Sequence, residues 1–151
     1  MRFDCRGGSA RPPLSQVDLQ KGKQWVINYY TALDTHDHRF ASNFFIKQGV
    51  LSFGNSRTTG VSTIQEVMDW QRNATKQIDH CIRAIYVFHE QILVQTTVTY
   101  TFWRGETHQM DCMTSFDKLP SHRKAKRAYI YADFTPLFEK FTKNAGPRPS
   151  A

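Results

Sequence analysis

The sequence predicts a single α+β domain in which helices come first and a run of antiparallel strands follows. Apolar residues recur at helical spacing in the first half of the chain, and from Ile78 the period changes to two. The length of 151 residues suits one domain. Helices gathered on one side of a long, curved antiparallel sheet leave a cavity between the two layers.

Three helices are predicted before the sheet. The first spans 17–33 and begins near Asp18, a residue type that caps helices. The second lies around 38–45. The third begins at the capping-box pair Ser62 and Gln65 and continues to about residue 75. The inner face of this third helix carries Ile64, Val67, Met68 and Gln71.

A short strand, 48–53, separates the second and third helices, and turn residues follow it at 54–56. Four further strands prefer to pair in sequence as hairpins. These strands are predicted at 81–89, 92–103, 107–116 and 127–134. A closing turn or short helix begins at 135–138. The domain is therefore expected to span 17–141, between a disordered arm, 1–16, and a disordered tail, 142–151.

The composition excludes several classes of protein. No apolar run reaches the roughly 18 residues of a membrane span, and the first residues lack the apolar stretch of a signal peptide. Three scattered cysteines indicate free thiols in a reducing, cytoplasmic setting. The net charge of +7 is concentrated in the two ends and in a loop, 117–126, so nucleic-acid binding is disfavoured and a solubilising role is favoured.

Three motifs give the chain a family resemblance. They are a helix exit at 32–37 (Ala-Leu-Asp-Thr-His-Asp), a link at 53–64 (Phe-Gly-Asn, then Gly60 and Ile64), and an ending at 131–137 (Tyr-Ala-Asp-Phe-Thr-Pro-Leu). In this order the motifs resemble SnoaL-like domains of the nuclear-transport-factor-2-like (NTF2-like) superfamily, over about residues 17–138. The resemblance implies a cone fold and a homodimer through the sheet. The small face of Ala128, Ile130 and Ala132 favours that dimer.

The resemblance also implies a class of activity. Such proteins include polyketide cyclases, dehydratases, epoxide hydrolases and isomerases. Asp133 corresponds to an acid/base aspartate on the last strand of the cyclases, but Thr114 stands near the position of their partner histidine. His108 shares the preceding strand and is the expected partner of Asp133, and Tyr30 is an expected donor to an oxyanion. The alternatives are that Asp133 caps the turn at Thr135, that His108 is exposed, and that Tyr30 is core packing.

Large side chains are expected to line the cavity as substrate-binding residues, although each is also an ordinary core residue. They are Trp25, Tyr29, Trp70, Trp103, Met110, Tyr129 and Tyr131. The chain has no phosphate loop, dinucleotide fingerprint, nucleophile elbow or zinc spacing, so a site without cofactor or metal is expected.

The sequence therefore favours a cofactor-independent enzyme of polyketide or terpenoid biosynthesis. It would catalyse acid/base cyclisation, isomerisation or dehydration of a small apolar or aromatic substrate. The alternative is a non-catalytic NTF2-like module that binds a ligand or a protein.

Overall fold

The computed structural model describes residues 12–149. In this range the helices are α1 (Gln16–Asp34), α2 (Phe40–Phe44), α3 (Val61–Ala74) and α4 (Thr135–Ala145). The strands are β1 (Phe45–Phe53), β2 (Ser56–Thr59), β3 (Thr75–Val87), β4 (Gln91–Phe102), β5 (Thr107–Asp117) and β6 (Ala125–Tyr131). Most of the predicted arm, 1–16, lies outside the described residues.

One six-stranded sheet in the order β2-β1-β6-β5-β4-β3 wraps around the helices without closing. β3 to β6 pair antiparallel in sequence, as predicted. β1 and β6 pair in parallel, with Phe53 opposite Ile130, so the sheet is mixed rather than purely antiparallel. The predicted α+β cone is confirmed, and the parallel pair is the departure from it.

The N-caps of α1 and α3 are not the residues predicted. Ser15, rather than Asp18, is the N-cap of α1, because its Oγ accepts a hydrogen bond from the Asp18 N–H at 3.0 Å. At α3 the N-cap is Gly60, and Ser62 and Gln65 do not form a capping box. Gln65 Oε1 instead accepts from the Ala41 N–H at 3.0 Å, which joins α3 to α2.

The predicted closing turn is the beginning of α4, an 11-residue helix. Pro136 occupies its first turn, where the missing N–H costs nothing. Leu137 and Phe141 are fully buried, and Phe141 packs at 5.3–5.4 Å from the rings of Trp70 and Tyr100. α4 continues past the predicted domain end at residue 141.

The chain remains packed beyond α4, in the region predicted as a tail. The Arg148 guanidinium lies 5.2 Å from the centre of the Phe138 ring and donates to Thr58 Oγ1 at 3.0 Å and to Ser56 Oγ. Ser56 and Thr58 belong to β2, whose first residue was predicted to lie in the turn at 54–56 and whose other three residues were assigned to no element.

We expect Gly22→Ala to destabilise the fold, although alanine favours helix. Gly22 is buried in α1, and a Cβ there would lie 2.8 Å from Val87 Cγ1 and 3.5 Å from Ile92 Cδ1. Overpacking costs about 1–3 kcal/mol and exceeds the roughly 1 kcal/mol gained in helix propensity. Urea unfolding should show a net loss of about 1 kcal/mol or more. The neighbouring exposed change Lys23→Ala should be neutral, and a more stable Gly22→Ala protein would contradict the packing.

Candidate functional site

A narrow cavity lies between α1, α3 and the inner face of the sheet. It leaves about 40 Å³ for the centres of water molecules, so it is large enough to hold water. Its walls are mostly apolar, from residues such as Leu51, Phe53, Val98 and Phe134. The polar side chains in its wall are Tyr29, Tyr30, Gln71, His80, Thr96, Tyr100, Cys112 and Thr114. An apolar pocket with few polar groups is the usual form of a small-molecule site.

Asp34 and His80 form a hydrogen-bonded pair at this cavity. Asp34 Oδ1 lies 2.5 Å from His80 Nδ1, and Asp34 Oδ2 accepts from the His80 backbone N–H at 3.2 Å. The His80 side chain is only 9% exposed and lines the cavity, whereas the Asp34 side chain is 29% exposed. The carboxylate therefore holds both the ring and the backbone of His80.

This contact fixes the chemistry of the imidazole. An Asp34 carboxylate at Nδ1 favours the tautomer in which Nδ1 carries the proton, and it leaves the Nε2 lone pair free. Within residues 12–149, no hydrogen bond to the other ring nitrogen of His80 competes for that lone pair. His80 is thus arranged to take a proton at Nε2, with Asp34 stabilising the imidazolium that forms.

Tyr30 lies beside the pair. Its ring centre is 4.9 Å from that of His80, and its hydroxyl is 3.1 Å from Thr114 Oγ1. Tyr30 and Asp34 are four residues apart in α1 and so share one helix face. Burial raises the pKa of the Tyr30 hydroxyl, and the hydrogen bond with Thr114 opposes this only partly, so the phenol stays protonated and can donate.

Two further groups in the wall are also held neutral. Burial raises the pKa of the Tyr100 hydroxyl. Burial raises the pKa of the Cys112 thiol to about 11, with a smaller effect of Asp111 in the same direction. Cys112 is therefore a protonated thiol at neutral pH and a poor nucleophile, as expected of a core cysteine.

Gln71 is the exceptional polar group of the wall. It is 5% exposed on the inner face of α3. Among the described residues, its Nε2 is the single buried side-chain nitrogen or oxygen without a hydrogen-bond partner. A shallower groove lined by His36, Asp37 and Arg72 shares Gln71 with the cavity. Gln71 therefore lies between the cavity and this groove, together with Leu33, Met68 and Ile78.

The structure does not bring Asp133 and His108 together. Asp133 is exposed, and its Oδ1 accepts from the Thr135 N–H at 3.2 Å, so it caps the start of α4. The β5–β6 pairing ends with Met113 opposite Tyr131, five residues along β5 from His108. The expectations of an inward Asp133 carboxylate and of an Asp133–His108 pair are therefore corrected by the geometry.

The face of β6 is also the reverse of the expected one. Ala128 is fully buried and Ile130 lines the cavity, whereas Tyr131 is 58% exposed and Tyr129 lies on the same outer face. Tyr129 and Tyr131 therefore do not line the cavity. The expected homodimer through the sheet cannot use Ala128 and Ile130, because these residues pack inward.

The other expected substrate-binding residues divide between core, surface and cavity. Tyr29 lines the cavity. Trp70 is buried core and donates to the Gly146 carbonyl at 2.9 Å. Trp103 is 64% exposed. Met110 is half-buried and packs against the core. Trp25 packs at 5.0 Å from Phe116, away from the cavity, and lines a separate open groove.

The basic loop between β5 and β6 contains one buried lysine. Lys118 Nζ donates to the carbonyl oxygens of Leu119, Pro120 and His122 and lies 4.7 Å from the centre of the Trp25 ring. Burial lowers the pKa of Lys118 to about 8. The ammonium therefore fixes the shape of the loop, while the other basic residues of the loop are exposed.

Two other features of residues 12–149 bear on function. No three His, Cys, Asp or Glu side chains in this range are grouped as metal ligands would be. None of the helices described there is long and apolar enough to cross a lipid bilayer.

Tyr30 was predicted from the sequence, whereas Asp34 and His80 were missed as a pair. Two features of the sequence point to this pair. Asp34 follows Tyr30 by one helical turn, and His80 stands between Ile78 and Ile82 on the inward face of β3. A histidine at an apolar strand position needs a partner when it is buried. Its partner lies 46 positions away, beyond the reach of local patterns.

Comparison with solved structures places the fold. A Shewanella putrefaciens protein described as a SnoaL-like polyketide cyclase matches 82% of this chain and 97% of its own, with 14% identity and a TM-score of 0.67. An LEH-like epoxide hydrolase of M. tuberculosis matches 83% and 92%, with 14% identity and a TM-score of 0.66. An NTF2-like protein of unknown function from Burkholderia pseudomallei matches 81% and 98%, with 12% identity and a TM-score of 0.68.

These likenesses confirm the expected resemblance at the level of the fold: the chain has the fold of SnoaL-like and NTF2-like proteins. No protein-family model matches the sequence, and no curated protein matches it at a significant level. Since identities of this size show the fold alone, the function has to be argued from the site.

Proposed function

We propose that this protein, with its SnoaL-like and NTF2-like fold, is a cofactor-independent enzyme that moves a proton on a small apolar or aromatic substrate. The proposed reactions are cyclisation, isomerisation or dehydration in the biosynthesis of polyketides or terpenoids. The observation that carries the proposal is the Asp34–His80 pair, set at 2.5 Å beside an apolar cavity.

Each residue has a role in this proposal. His80 removes a proton from a substrate carbon through Nε2 and later returns it at another atom. Asp34 positions His80 and stabilises its charged form. Tyr30, kept protonated by burial, turns its O–H from Thr114 Oγ1 to donate a hydrogen bond to the oxygen that becomes negative during the transfer. These roles replace those expected for Asp133 and His108, neither of which lines the cavity.

The competing proposal is a non-catalytic binding module with the same cone. The narrow cavity favours it, because about 40 Å³ for water centres admits only a small or flat ligand unless side chains such as Met68 move. The two proposals differ in one respect. A binding module needs no proton acceptor, whereas the enzyme fails without His80.

The test is proton exchange on a flat, enolisable ketone. We expect the wild-type protein to accelerate the exchange of the α-protons of 2-indanone in D2O above the buffer rate, measured by NMR. His80→Gln should lower the protein-dependent rate by about 10²–10⁴-fold, the usual contribution of a general base.

His89→Gln is the matched control. His89 lies in the β3–β4 turn, outside the cavity, and its Nε2 contacts the Pro12 carbonyl at 2.8 Å. This variant should exchange 2-indanone at the wild-type rate. Equal exchange by wild type and His80→Gln would reject the enzyme and favour the binding module.

A further inference from the structure

We infer that Gln71 is the substrate-positioning residue of this cavity and that its side-chain amide selects a substrate with a carbonyl oxygen. The inference rests on the proposed function for its site, and it adds the chemical class of the ligand. It starts from an unmet hydrogen-bonding group rather than from the Asp34–His80 pair.

The burial of Gln71 without a partner requires an explanation. Its neighbours on the inner face of α3 are Ile64, Val67 and Ala74, all fully buried. A leucine or methionine would satisfy the packing there, whereas an amide on an apolar cavity wall gives up the hydrogen bonds that it makes in bulk water. Since nearly all buried polar groups in proteins are paired, an unpaired one in a cavity wall indicates a partner inside the cavity, either a water molecule or an atom of a ligand.

The chemistry of Gln71 narrows the choice of that partner. The group left without a partner is an N–H donor, so the partner is an acceptor. Carboxylate substrates are disfavoured in the cavity, because its wall among the described residues holds no lysine or arginine, and its histidine, His80, is already paired with the Asp34 carboxylate. A neutral carbonyl oxygen meets both conditions.

The position of Gln71 supports a role in selection. It belongs both to the cavity and to the groove that meets it, together with Leu33, Met68 and Ile78. A ligand bound in the cavity therefore has Gln71 in its wall, on the side that faces the groove. The three shared neighbours are apolar, so Gln71 is the single polar group among the residues common to the cavity and the groove.

The experiment compares two ligands of similar shape, of which only one carries a hydrogen-bond acceptor. The probes are 2-indanone and 2-methyleneindane, in which C=CH2 replaces C=O in the same ring system. Dissociation constants are measured by titrating ¹⁵N-labelled protein, and the side-chain amide signals of Gln71 are followed. We expect wild type to prefer the ketone, and only the ketone to shift the Gln71 amide signals strongly.

Gln71→Met removes the amide while keeping an unbranched chain of similar length. It should weaken 2-indanone binding about tenfold, as expected for one lost hydrogen bond in a buried site. Binding of 2-methyleneindane should be unchanged. The thermal midpoint should stay the same or rise, because an unsatisfied buried group is removed.

Gln65→Met is the control on the same helix. Its amide is already bonded to Ala41 and Asp69, so its loss should lower the thermal midpoint and leave both dissociation constants unchanged. The inference is overturned if wild type does not distinguish ketone from alkene, or if Gln71→Met changes both affinities equally. The second result would mean that the Gln71 side chain acts through its shape rather than through a hydrogen bond.

These outcomes are separate from those of the exchange test. Ketone-selective binding that depends on Gln71, without exchange that depends on His80, would keep the inference and reject the enzyme. Exchange that depends on His80, without ketone-selective binding that depends on Gln71, would support the enzyme and reject the role of Gln71.

Discussion

We expect Asp34→Asn to lower the protein-dependent exchange of 2-indanone by about 10²–10⁴-fold while leaving the fold intact. The introduced asparagine would fit the same space, but its amide can donate a hydrogen bond to His80 Nδ1. This would favour the tautomer with the proton on Nε2, the nitrogen proposed to take up the substrate proton. The loss of the carboxylate would also leave the imidazolium unstabilised.

The matched control is Asp37→Asn, in the turn between α1 and α2. Asp37 accepts hydrogen bonds from the Arg39 N–H and from Asn43 Nδ2, at 2.9 and 3.0 Å, and does not contact His80. Exchange rates and thermal midpoints of both variants should be measured together. An Asp34→Asn protein with wild-type exchange would show that His80 needs no carboxylate, and the proposed mechanism would then be wrong.

A second variant, Phe141→Ala, is expected to have a large effect on the stability of the fold. Phe141→Ala should reduce the free energy of unfolding by about 3–5 kcal/mol, because it opens a cavity under α4. The Phe141 ring is fully buried and packs against the rings of Trp70, Tyr100 and Phe102. Urea unfolding followed by circular dichroism measures the change.

Phe88→Ala is the comparison for this variant. Phe88 is 50% exposed beyond the end of β3, so its loss should change the free energy of unfolding by about 0.5 kcal/mol or less. A loss below about 1 kcal/mol for Phe141→Ala would mean that α4 is not an integral part of the core.

The order of elements was readable from the sequence because it depends on local periodicity. α1 and the long strands β4 and β5 have clear patterns, and each occupies nearly its predicted range. α4 was predicted only as a closing turn or short helix at 135–138, because Lys, Thr and Asn residues surround its two buried positions, Leu137 and Phe141. Its helical conformation is secured by packing on Trp70, a contact between residues far apart in sequence.

The candidate site was less predictable than the fold, because it depends on which strand face turns inward. On β6 both alternating sets were plausible linings, one with Ala128 and Ile130 and the other with Tyr129 and Tyr131. A strand has a side-chain period of two, so a one-residue error exchanges the two faces completely. That exchange led to the expectation of Asp133 inside the cavity, whereas it caps α4.

The parallel pairing of β1 with β6 has a consequence for folding on the ribosome. Leu51 lies opposite Ala128, and both are buried. The whole segment between β1 and β6 must therefore be synthesised before β1 can pair with β6. Until then β1 can pair only with the four-residue β2, and its other edge is open to other chains. Closing such a long loop is slow, so nascent chains that stop before β6 should be those most dependent on chaperones.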